Sequence, residues 1–129
     1  MQPTRTGIIL YTQKYKACVD FYAEVLELPK MFETDSLTCF EFGGAYLMVE
    51  MDDEGETGRG RIRTCLRMNV PDVKKIADQL TAKGIDVDYQ EHSWGTVAKF
   101  FDPDGNLCAF KDDEKFERQV EGYKGGKEE

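Results

Sequence analysis

The chain has 129 residues, 40% of them hydrophobic and including eight Phe and six Tyr, which is enough for one domain or two small modules sharing a core. A net charge of −8 disfavours DNA or RNA as partner, because nucleic-acid binders present a basic face that releases counterions, whereas it would steer a cationic small molecule inward. No apolar run approaches the roughly 20 residues of a membrane span, and Met1-Gln2-Pro3-Thr4-Arg5-Thr6 lacks the apolar core of a signal peptide, so a soluble cytoplasmic protein with no membrane partner is expected.

Ile8 to Tyr11 reads as a short strand. From Lys14 to Leu28 the residues Tyr15, Cys18, Val19, Tyr22, Val25 and Leu26 fall at helical spacing, with Thr12 as N-cap and Pro29 as stop. Lys30 to Phe32, Leu37 to Phe42 and Ala45 to Glu50 follow as strands, separated by Thr34-Asp35-Ser36 and by Gly43-Gly44. Met51 to Arg61 is a charged, Gly-containing connector that cannot support a core and marks a module boundary.

The same order then begins again. Ile62 to Val70 is a strand, and Pro71 opens a helix whose buried stripe is Val73, Ile76, Ala77 and Leu80 and whose end is Gly84. Ile85 to Gln90, Thr96 to Phe101 and Leu107 to Lys111 are three more strands. The last two are joined by Asp102-Pro103-Asp104-Gly105-Asn106, in which Asp at i, Pro at i+1 and Gly at i+3 specify a type I turn and so fix the register of the strand beyond it. Phe116, Val120 and Tyr123 keep helical spacing in the acidic C-terminal segment, which is either a short amphipathic helix packed on the body or on a second subunit, or a solvated tail.

The expected fold is thus α+β. Two βαβββ modules, residues 1–57 and 58–112, form a curved mixed sheet with a groove and with helices outside, and residues 113–129 follow as tail or helix. Each module is too small to bury much alone, so the two close on each other or on a partner subunit. Cys18, Cys39, Cys65 and Cys108 lie far apart with no C-x-x-C pair, which reads as buried free thiols, the alternative being two disulfides.

The duplicated order, with Phe21-Tyr22 and Val25-Leu26-Glu27-Leu28 in the first helix and Trp94-Gly95 ahead of Asp102-Pro103-Asp104-Gly105-Asn106, resembles the vicinal oxygen chelate superfamily over about Gly7 to Lys111. That group includes glyoxalase I, extradiol dioxygenases, fosfomycin-resistance enzymes and bleomycin-resistance proteins. The resemblance implies metal ligands, His or Glu, on the first and last strand of each module. Those positions hold Gly7, Met48, Cys65 and Ala109, and divalent ions need imidazole or oxygen donors at about 2.0–2.2 Å that this set lacks. No metal and no other cofactor is therefore expected.

Strand alternation places Ile9, Tyr11, Tyr46, Met48, Glu50, Cys65, Arg67, Asn69, Leu107, Ala109 and Lys111 on the concave face, and turns Ile8, Leu10, Leu47, Val49, Leu66, Met68, Cys108 and Phe110 toward the helices. Of these, Ile9, Tyr11, Tyr46, Met48, Glu50, Cys65, Arg67 and Ala109, with Trp94 at the mouth, are the candidate ligand-binding residues, and no catalytic residue is assigned. Arg67 either holds an anionic or carbonyl-bearing ligand or pairs with Glu50 or Glu41. Trp94 either stacks on a planar or cationic ligand or packs on its own module, and His92 reads as a surface residue in a loop. The resemblance then implies a metal-free homodimer, like the bleomycin-resistance proteins in plan, whose groove traps a cationic or aromatic small molecule without transforming it. The alternatives are a metal-dependent enzyme of glyoxalase or dioxygenase type using Glu50, Glu41 or His92, and a protein-interaction module with a plugged groove.

Overall fold

The computed structural model describes residues 1–52, 63–103 and 105–128, with side chains described through Lys124. Eight strands lie in one curved, open sheet: β1 (Arg5–Thr12), β2 (Lys30–Glu33), β3 (Leu37–Phe42), β4 (Ala45–Met51), β5 (Thr64–Val70), β6 (Asp88–His92), β7 (Gly95–Phe101) and β8 (Leu107–Asp112), in the order β2-β3-β4-β1-β5-β8-β7-β6. Three helices accompany them, α1 (Tyr15–Asp20), α2 (Val73–Ala82) and α3 (Asp113–Glu128). The boundary expected within Met51 to Arg61 falls largely on residues 53–62, outside the described residues, as does Ile62 at the start of the fifth predicted strand.

The two sets of four strands join into one sheet within the chain. β1 and β5 pair antiparallel at the centre, with Gly7 opposite Arg67 and Ile9 opposite Cys65. Each then pairs in parallel with the last strand of its own module, Ile9 with Met48 and Arg67 with Ala109. Because side chains alternate along a strand, these registers put Ile9, Met48, Cys65, Arg67 and Ala109 on one face.

The core has three parts. On the convex face Val19, Phe40, Leu47 and Val49 pack under α1, and Val70, Val73, Ala77, Ala98 and Phe110 pack under α2. Ile8 and Leu66, expected under the helices, face each other across the β1–β5 seam between the two and stay 38% and 51% exposed, since neither helix reaches the middle of the sheet. The third part lies on the concave face, where α3 lays Phe116 and Val120 against Ile9, Phe32, Cys39, Tyr46 and Met48. The segment read as helix or tail is a helix that packs on the body.

Two further elements differ from the sequence reading. The helix predicted from Lys14 to Leu28 is α-helical only to Asp20; Phe21–Val25 widens into a π-helical turn, with Leu26 N–H donating to Phe21 O at 3.1 Å and Leu28 N–H to Tyr22 O at 3.0 Å. Glu27 then turns through φ +55° before Pro29. The wider turn keeps Tyr22 on Phe40 but rotates Val25 and Leu26 into solvent, out of the predicted stripe. Thr12 accepts from Lys14 N–H at 2.9 Å one turn ahead of α1 instead of capping it directly.

The sixth strand starts at Asp88 rather than Ile85, because Ile85 is used by the end of α2. Gly84, at φ +87°, lets Ile85 N–H reach back to Leu80 O at 3.0 Å, satisfying a terminal helix carbonyl. His92 accordingly ends β6 instead of lying in a loop, and Ser93-Trp94 is the hairpin turn into β7. The type I turn expected at Asp102 includes Asp104, which lies outside the described residues; on either side of it Gly105 N–H donates to Asp102 O at 3.0 Å, and the Asp102 carboxylate accepts from both N–H and Nδ2 of Asn106 at 2.9 Å. All four cysteines are free thiols.

Candidate functional site

The concave face, partly roofed by α3, encloses a cavity of about 420 Å³. β1 contributes Ile9 and Tyr11, β4 Met48 and Glu50, β5 Cys65 and Arg67, and β8 Ala109 and Lys111, while Trp94 closes one side. These include every residue singled out on the concave face except Tyr46, Asn69 and Leu107. Tyr46 packs instead in the space above Gly7, where a Cβ would strike its ring, with its ring centroid 4.7 Å from that of Phe116. Its hydroxyl donates to Asn69 Oδ1 at 2.8 Å.

The inherited metal positions do not fit an ion. Gly7 offers no side chain and is covered by Tyr46; Ala109 offers a methyl group. Burial pushes the Cys65 thiol above its ordinary range, although the charges of Arg67 and Lys99 and a hydrogen bond from Tyr11 pull it down, so the soft thiolate form is disfavoured. Cys39, below the cavity, is pushed up to about 12 by the same desolvation. Among the described residues no three of His, Cys, Asp and Glu converge as a metal would require.

Arg67 is 8% exposed, and its Nε is buried without a hydrogen-bond partner. Among the described residues no carboxylate lies within ion-pair distance of its guanidinium, Glu41 being an exposed residue near the outer end of β3. Lys99 of β7 and Lys111 of β8 also line the cavity, and Glu50 is the one carboxylate among its described lining residues. With Lys111 paired to Asp112, Arg67 and Lys99 against Glu50 give the described lining a charge opposite in sign to that of the chain, and within a few ångströms local charge outweighs a net charge that salt screens over about 10 Å.

Trp94 is held by a buried ion pair. Lys111 Nζ donates to Trp94 O at 3.0 Å and to Asp112 Oδ1 at 2.9 Å, and lies 5.1 Å from the centre of the indole ring. The His92 ring stacks on the indole, with its centroid 4.5 Å away. Asp112 also accepts from Thr96 N–H at 2.7 Å and from Lys115 N–H at 2.8 Å, so the same carboxylate caps α3. Burial alone would raise its pKa; the Lys111 ammonium and the two backbone donors outweigh it and hold the carboxyl below its usual range. Lys111 is nonetheless lowered, since burial of its side chain, 2% exposed against 15% for Asp112, exceeds what the pair returns.

The sequence reading missed Phe32, Thr34, Ser36 and Leu37 at the β2–β3 turn, Val97 and Lys99 on β7, and Gln119 on α3. The β7 pair was accessible by continuing the alternation: Lys99 stands opposite Ala109, while Phe100 stacks on Phe110 on the convex side.

Residues 6–110 match the family model of the Glyoxalase/Bleomycin resistance protein/Dioxygenase superfamily, and the chain belongs to that superfamily. No curated protein matches it in sequence. Among solved structures it is similar to a glyoxalase/bleomycin resistance protein/dioxygenase superfamily member from Vibrio splendidus 12B01, at 21% identity over 84% of this chain and 98% of the other, with a TM-score of 0.64. It is also similar to a structure described as an NAD-dependent benzaldehyde dehydrogenase from Legionella pneumophila, at 17% identity over 83% and 97% with a TM-score of 0.70. A Streptomyces coelicolor methylmalonyl-CoA epimerase gives 14% identity over 86% and 95% with a TM-score of 0.65. Likeness at these identities establishes the fold alone.

Proposed function

We propose that the protein binds a small organic molecule in the concave groove and does so without a metal at the inherited positions, as a sequestering member of its superfamily. The observation that carries this reading is the cavity of about 420 Å³ built on the very strand faces where metal ligands would stand, with Ile9, Met48, Cys65 and Ala109 making an apolar floor and Arg67 a polar anchor. Concave, mostly apolar sites with a few placed polar groups are what small ligands occupy.

A thermal-shift series tests it. Small organic compounds that fit the groove raise the melting temperature, a compound at a hundred times its Kd adding about 2.7 kcal/mol of stability, whereas Mn²⁺, Ni²⁺ and Zn²⁺ leave it unchanged. Stoichiometric divalent metal that EDTA removes together with a catalytic activity would overturn the proposal.

A further inference from the structure

We propose that the groove selects an organic carboxylate, its head group seated over Ala109 between Arg67 and Lys99 and its apolar body lying along Ile9, Phe32 and Met48. The inference rests on the binding reading above and adds the charge and position of the head group.

Arg67, Ala109 and Lys99 stand in one row across β5, β8 and β7, each opposite the next in register. Strands are about 4.8 Å apart, so a methyl group lies between two long cationic side chains, and the space above it is flanked by guanidinium and ammonium. All three residues line the cavity. The Arg67 guanidinium is nine-tenths buried, and its Nε lacks an acceptor among the described residues. That orphaned atom is a donor on the cavity wall. What the described lining lacks is therefore an acceptor, and a buried arginine is best matched by a carboxylate that accepts two parallel hydrogen bonds. Lys111 does not compete for it, because its ammonium is committed to Asp112 and Trp94.

The test is a matched panel of phenyl, naphthyl and octyl bodies, each carrying carboxylate, carboxamide or ammonium, titrated calorimetrically into the wild type, Arg67→Met and Ala109→Glu. Carboxylates are expected to bind at least tenfold more tightly than the carboxamides of the same body, and the ammonium series not at all. Both variants should lose that preference. Ala109→Glu places a carboxylate of the chain itself in the space assigned to the ligand, so it should also melt higher than wild type. Carboxamides or ammonium compounds binding as tightly as carboxylates would overturn the inference while leaving the groove as a binding site. Retention of carboxylate preference in Ala109→Glu would overturn the placement of the head group. Binding by no member of the panel would overturn both this inference and the reading it rests on.

Discussion

Single residues in this protein are held by chemistry that makes sharp predictions. Gly95 sits at φ +148°, and a Cβ there would take the place of the Lys111 amine. Gly95→Ala must therefore displace the ammonium that seats Trp94, and is expected to cost about 3 kcal/mol in urea denaturation, with a shift in tryptophan emission. Asp112→Asn leaves Lys111 buried and unpaired, a loss of about 3 kcal/mol at pH 7. Because the folded carboxyl of Asp112 is depressed, its contribution is complete above the unfolded value of about 3.9 and disappears as pH falls through the folded value. Urea midpoints of wild type and variant should thus differ at pH 5 and 7, draw together as pH falls below about 3.9 and meet only below the folded value; an equal gap at every pH would refute the assignment. Arg67→Met removes a buried charge that no carboxylate among the described residues pairs, and should raise the melting temperature of the ligand-free protein by a few degrees. At this scale the inward direction of Arg67 was legible in the sequence, since alternation along its strand aims it, while the turn at Asp102 aims Ala109. Lys99 escaped because no face was assigned to β7, and Lys111 revealed its position but not its bond to Trp94, which depends on a hairpin from another part of the chain.

Among the elements, α3 decides the shape of the site. Its apolar stripe was visible as Phe116, Val120 and Tyr123, yet its seat was not, because that seat comes from β2, β3 and β4 of the other module. Phe116 is fully buried, its ring 5.6 Å edge-on from Phe32, and Arg5 joins β1 to α3 through an ion pair with Glu117 at 2.9 Å. Phe116→Ala is expected to destabilise by about 3–5 kcal/mol, measured as a fall in the urea midpoint at constant m value. Glu117→Gln, which touches only the half-exposed pair, should cost less than about 1 kcal/mol. The π-helical turn after Asp20 was illegible for a different reason. A 3.6-residue period extends smoothly through Val25 and Leu26, and only the left-handed residue Glu27 ahead of Pro29 forces the turn to widen.

Across the whole molecule, the order of strands and helices was readable from turn chemistry and alternation, and the central pairing of β1 with β5 follows from two modules that each need a second sheet edge. That pairing, with α3 crossing from the second module to the first, makes the halves thermodynamically inseparable, so far-UV dichroism and the emission of the single Trp94 should report one coincident unfolding transition. Two separated transitions would show that the modules unfold independently. The crossing of α3 also has a consequence for synthesis. When residues 1–112 have left the ribosome, all eight strands are available, but Ile9, Phe32, Cys39 and Met48 still lack the side chains that cover them. The nascent chain therefore carries an uncovered sticky surface until α3 emerges, and the interval before Phe116 and Val120 arrive is when a chaperone has most to protect.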